Sequence, residues 1–211
     1  MKQNVRRWLL VGLAVLLGAL LGFWGGWALS SRRAEREGQG FALTEEFCAA
    51  LLDYDGMLDQ VQWALEHDPD GLWFQHYLEE LPTGSPVPRN LGSLHGLSYG
   101  LYDLAEGFYR QVYALGQAYQ EGDPDLPAML QQMTRHCETG KAVITYLDSQ
   151  LTLREDLLVY GSDHARLMGD NLLENWDTGR SEESQFVDPA FYTIQQEVEA
   201  LIPDDLQNIE P

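Results

Sequence analysis

A chain of 211 residues, 45% hydrophobic and 11% aromatic, is large and apolar enough to bury a core and lacks the composition of a disordered chain. Its formal net charge of −20 is unevenly spread: six of the thirteen basic residues fall in the first 36 positions, and from Gly38 onward 7 basic residues stand against 31 acidic ones. So acidic a body repels phosphate backbones, which excludes nucleic acid as a partner; the charge suits a basic partner, and equally it keeps a helical body soluble and dispersed.

Residues 1–7 form a short head carrying Lys2, Arg6 and Arg7. Trp8 to Leu29 is an uncharged run, WLLVGLAVLLGALLGFWGGWAL. As a helix it reaches about 33 Å, enough for a hydrocarbon layer of about 30 Å. Trp8 at one end, and Trp24 and Trp27 near the other, stand where interfacial aromatics gather. The run is expected to be a membrane anchor. A signal peptide cleaved after Ala28-Leu29-Ser30 is the competing reading, against which stand the length of the run and the bulk of Trp24 and Trp27. Basic residues flank both ends, since Arg32, Arg33 and Arg36 follow, so charge asymmetry decides little. The short, signal-like head favours a cytoplasmic N-terminus and a body outside the membrane. Gly18, Gly22 and Gly26 recur every four residues, a face suited to pairing with a second copy or another membrane protein; glycine is also frequent in membrane helices for no such reason.

Residues 30–40, SSRRAEREGQG, read as a polar stalk, and residues 41–202 as an acidic body of helices. Thr44 with Glu45 and Glu46 has the look of a helix start. Phe47, Leu51, Leu52, Leu58, Val61 and Leu65 then form an apolar stripe as far as His67. Asp68-Pro69-Asp70-Gly71 breaks it, and a short helix is expected over 72–81, followed by a loop with three prolines at 82–90. Leu94, Leu97, Leu101, Leu104, Phe108, Val112, Leu115 and Tyr119 predict a long bundle helix closed by Gly122-Asp123-Pro124. The next is expected from Leu126 to about Gln150, weakened or kinked at Gly140. Thr152-Leu153-Arg154-Glu155 is a capping box for a further helix, polar residues 177–187 form a loop, and Asp188-Pro189 opens a last helix. Residues 203–211 read as a loose tail. With no strand alternation, the expected class is all-α: an N-terminal transmembrane helix followed by an antiparallel helical bundle.

Chemistry is sparse. No Glu-x-x-His or His-Glu-x-x-His pattern occurs among the five histidines, and adjacent ligands such as His136-Cys137-Glu138 or Asp163-His164 diverge by about 100° on a helix. No metal or other cofactor is expected. Nucleophile elbows, P-loops and dinucleotide fingerprints are also missing, so the chain reads as non-enzymatic. Cys48 and Cys137 are the only cysteines; they form a disulfide if their helices are neighbours outside the cytoplasm, and are equally well read as small core residues. Trp63, Trp73, Tyr77, Tyr99, Tyr102, Tyr109 and Tyr113 are expected at the core and bundle edge, with an aromatic groove for a partner helix as the second reading.

The anchor ends in Gly22-Phe23-Trp24-Gly25, Leu81-Pro82 follows an early helix, and Leu94-His95-Gly96-Leu97-Ser98-Tyr99 comes soon after. In this order of short motifs, over about residues 8–175, the chain resembles the N-terminal membrane-anchored region of the YpeB family of spore germination proteins. The PepSY-type repeats that complete that family have no counterpart in these 211 residues. The resemblance implies a non-catalytic role at the spore membrane, holding or stabilising a cortex-lytic hydrolase. The expected function is an extracytoplasmic interaction or scaffold module with a protein partner in the envelope; the alternative is a sensory-type helical domain that binds a small ligand.

Overall fold

The computed structural model describes residues 2–80, 91–92, 94, 97, 99–151, 168–173 and 189–207; side chains at 2–17, 19–21, 23 and 99 lie outside the description. Six helices have defined bounds: α1 (Lys2–His67), α2 (Leu72–Glu80), α3 (Tyr99–Glu121), α4 (Leu126–Leu151), α5 (Pro189–Leu201) and α6 (Asp204–Gln207). Residues 168–173 are also helical, and no strand occurs among the described residues. The all-α class is therefore the one observed. The chain divides into two compact units, residues 1–39 and 40–211.

Two sequence expectations are corrected here. Residues 30–43 are helical, so no helix begins at Thr44. Instead of capping, the Thr44 hydroxyl donates back to the Gly40 carbonyl at 2.9 Å, the bond of a threonine inside a helix. The supposed stalk is built mostly of good helix formers, and Arg33 Nε meets Glu37 Oε1 at 2.8 Å across one turn. The tail is also partly ordered: α6 forms within it and buries Leu206 completely. The proline-rich loop at 82–90, the capping box at 152–155 and the polar loop at 177–187 lie outside the described residues.

In the second unit, Phe47, Leu51, Tyr54, Leu58 and Val61 put one fully buried stripe on α1, at alternating spacings of three and four. α2 turns back after Asp68–Gly71. There the Asp68 carboxylate accepts from the Trp73 amide at 2.7 Å, and Gly71 takes φ 65°. A β-carbon at Gly71 would stand 2.4 Å from the Tyr119 ring, so both backbone and packing demand glycine. Tyr54 meets Phe108 edge-on at 5.4 Å, and Gly71 meets Tyr119, so this part of α1 runs in the same direction as α3. α4 returns antiparallel to both: its His136 reaches Leu104 of α3, and its Gly140 meets Tyr54 and Leu58 of α1.

α4 spans Leu126–Leu151 as expected and runs unbroken through Gly140, which leaves room for the Tyr54 hydroxyl and Leu58. Ahead of α3, Leu91, Leu94 and Leu97 are buried before the helix proper starts at Tyr99. α5 packs on α4 and α3, and α6 on α3. Helix 168–173 crosses α1 where Gly40 and Gly169 bring two backbones together.

Candidate functional site

Among the described residues no helix is long and apolar enough to cross a membrane. Most of Trp8–Leu29 belongs to the stretch of α1 whose side chains are not described, and Trp8 and Phe23 lie there. Gly18, Gly22 and Gly26 would each accept a β-carbon with nothing within 4 Å among the described residues. Trp24 and Trp27 are 63% and 61% exposed and meet edge-to-face at 6.0 Å.

Cys48 and Cys137 are buried and are not joined in a disulfide. Antiparallel helices that meet at Tyr54, Leu58 and Gly140 leave Cys48 about 9 Å back along α1 from Tyr54, with Cys137 displaced the other way. The fold does not bring them together. Burial pushes the Cys137 thiol up to about 12; nearby Lys141 opposes this and Glu138 adds to it. It is a core group, not a reactive thiolate.

The seam between α1 and α4 holds the one lysine of the body. Lys141 Nζ stands 2.5 Å from Asp55 Oδ1 and 2.6 Å from Asp59 Oδ1, and donates to the Asp55 carbonyl at 3.2 Å. Burial works against its charge, but hydrogen bonds and charge from both aspartates outweigh that and raise its pKa above the ordinary lysine value. Asp55 is 16% exposed, so removing its partner leaves a poorly solvated carboxylate. Lys141→Met is expected to lower stability by about 1–2 kcal/mol, read from the urea midpoint of the full chain. An unchanged midpoint would show that apolar contacts alone close the seam.

Arg110 pairs with Glu106 at 2.5 Å, and Arg135 with Asp205 at 2.9 Å. Every lysine and arginine described in residues 40–211 is thus engaged by a carboxylate of its own chain.

His136, completely buried, bolts α3 to α4: Nε2 lies 2.8 Å from the Leu104 carbonyl and Nδ1 2.9 Å from the Gln111 amide group. Burial presses its pKa down to about 4, against the favourable Leu104 carbonyl and the charge of Asp205. A neutral ring has one N–H, and the Leu104 carbonyl only accepts, so Nε2 donates to it; Nδ1 faces Gln111 Oε1, and a neutral ring accepts there once the Gln111 amide is turned to present its NH₂. Both nitrogens are consumed, which removes His136 from the candidate ligands. His164, the other histidine in a cluster, lies outside the described residues, and no group of three or more potential metal ligands assembles among those described. Beside this bolt the Tyr54 hydroxyl is fully buried and has no hydrogen-bond partner among the described residues. Burial, with Cys137 and Tyr109 nearby, raises its pKa well above that of a free phenol.

The surface carries a different feature. Trp63 points away from the buried stripe and is 55% exposed. It stacks on the His67 ring at 5.4 Å and 12°, while His67 Nδ1 lies 3.0 Å from the Trp63 carbonyl and 4.0 Å from Glu66. Asp59 sits one turn before it and Glu66 almost one turn after. The other aromatics behave as core and edge residues: Tyr109 is buried, Trp73, Tyr77 and Tyr102 are half-buried, and Tyr113 is at the margin of exposure. The sequence held signals for both features. Trp63 falls off the 54-58-61 stripe, and Lys141 is a lone lysine in an acidic body. No protein-family model matches the chain, and no characterised protein or solved structure is detectably similar to it.

Proposed function

We propose that this protein is a membrane-anchored interaction module: residues 8–29 hold it in the membrane with the N-terminus cytoplasmic, and the acidic bundle outside docks a basic envelope protein. The observation that carries the reading is Trp63, a large ring left 55% exposed between carboxylates on a helix. An aromatic face attracts Arg and Lys side chains through its quadrupole, and the flanking acids favour the same cations. Covering so large a side chain contributes roughly 1.5–3 kcal/mol to association. The likeness to YpeB supplies the partner class, a cell-wall hydrolase held in place at the spore membrane. The face of Gly18, Gly22 and Gly26 fits self-association within the anchor.

The test is a photo-crosslinking residue placed at position 63 of the full chain in envelope membranes, with position 192, an exposed tyrosine on α5, as the control. One salt-sensitive adduct is expected at 63, lost on E66Q and absent at 192. The same adducts from both positions, or none, would sink the reading. A second reading, a small ligand held in the bundle, draws on the orphan Tyr54 hydroxyl. It fails if no metabolite in a thermal-shift panel stabilises the wild type more than Tyr54→Phe.

A further inference from the structure

Past Leu29 the helix changes character within two turns, to Arg32, Arg33 and Arg36. At 3.6 residues per turn these arginines fall inside a sector of about 100° on the side that carries Leu29, and Glu35 and Glu37 flank the sector without entering it. Immediately before it Trp24, Trp27 and Leu29 are 63%, 61% and 71% exposed. A helical rise of about 1.5 Å per residue sets Arg32 about 4.5 Å and Arg36 about 10 Å beyond Leu29. Headgroups extend a bilayer by about 5–7 Å on each side of its hydrocarbon core. A helix whose apolar run ends at Leu29 therefore places Arg32, with Arg33 close behind, at phosphate depth, and its indoles where aromatic belts lie.

Guanidinium forks match phosphate oxygens in both charge and geometry. Arg33 spends its Nε on Glu37 and has four further N–H donors.

We infer that residues 24–36 form an anionic-lipid clamp, in which the exposed indoles sit at the interface and the arginine sector binds the phosphates of anionic phospholipids in preference to zwitterionic ones. The inference rests on the anchored reading and adds the lipid class to it.

The experiment reconstitutes the full chain in phosphatidylcholine vesicles containing a minority of phosphatidylglycerol. Spin-labelled phosphatidylglycerol and phosphatidylcholine then report which lipid the protein immobilises. The wild type is expected to favour phosphatidylglycerol by roughly tenfold or more at low salt, with the preference falling as salt rises. R32Q/R33Q/R36Q is expected to lose most of it, whereas K2Q/R6Q/R7Q keeps most of it. Equal preference in the wild type and the first triple variant overturns the clamp, as does loss confined to the second. Release of the wild type from vesicles by alkaline carbonate overturns the anchor itself, a result distinct from stable insertion without lipid preference.

Discussion

Gly169→Ala is expected to unseat the crossing between helix 168–173 and α1 and to cost about 1 kcal/mol of stability. A β-carbon at 169 would stand 2.6 Å from the Gly40 carbonyl carbon and 2.7 Å from its oxygen. Those are backbone atoms and cannot rotate aside, so one helix must move. Overpacking of this kind costs about 1–3 kcal/mol, and the helix propensity gained on leaving glycine offsets about 1. The reciprocal change is gentler: a β-carbon at Gly40 would lie 3.0 Å from the nearest atom of Gly169. Urea denaturation of the two variants should therefore rank Gly169→Ala below Gly40→Ala. Equal midpoints would mean that the crossing yields freely.

The second large effect is acid sensitivity centred on His136. Its ring is neutral in the fold, with a pKa near 4, whereas an unfolded histidine titrates near 6.5. A depressed histidine favours folding above its unfolded value; that contribution is lost as pH falls from about 6.5 and is gone below about 4. The gap corresponds to about 3 kcal/mol. Carboxylates also titrate at the lower end, so the decisive quantity is a difference between variants. His136→Gln can still donate to the Leu104 carbonyl but has no proton to gain. The stability of the wild type relative to this variant is expected to decline by roughly 3 kcal/mol between pH 7 and pH 4. A difference that stays constant across that range would show that the ring is not neutral and buried as described.

Local patterns in the sequence were enough for the starts of α4 and α5. α4 begins at Leu126 just after Gly122-Asp123-Pro124, and α5 begins at Pro189 with its fixed φ. The false start at Thr44 shows where local reading stops. A threonine followed by two glutamates has the letters of a cap, yet the helix arrives already formed from upstream, and nothing local distinguishes the two cases.

Tyr54 and His136 escaped for another reason: both carry a polar tip, so neither joins an apolar stripe, although each occupies an inward position. Tyr54 fills the gap between Leu51 and Leu58, and His136 lies three residues after Met133. The Lys141 pairs depend on residues 86 and 82 positions apart, Asp55 and Asp59, which no periodicity reports. The exposure of Trp63 was open in the sequence as an exception to its stripe, but its stacking on His67 is visible only in three dimensions.

Lys141 also makes the body unusual as a chemical reagent. From Gly38 onward the chain has a single primary amine, and that amine is hydrogen-bonded between two helices. Amine-directed acylation of the body therefore has one possible address, and it is slowed by the two aspartates of α1 that hold the amine. The chain thus carries a single native reporter of its own seam, readable by mass spectrometry without altering a residue.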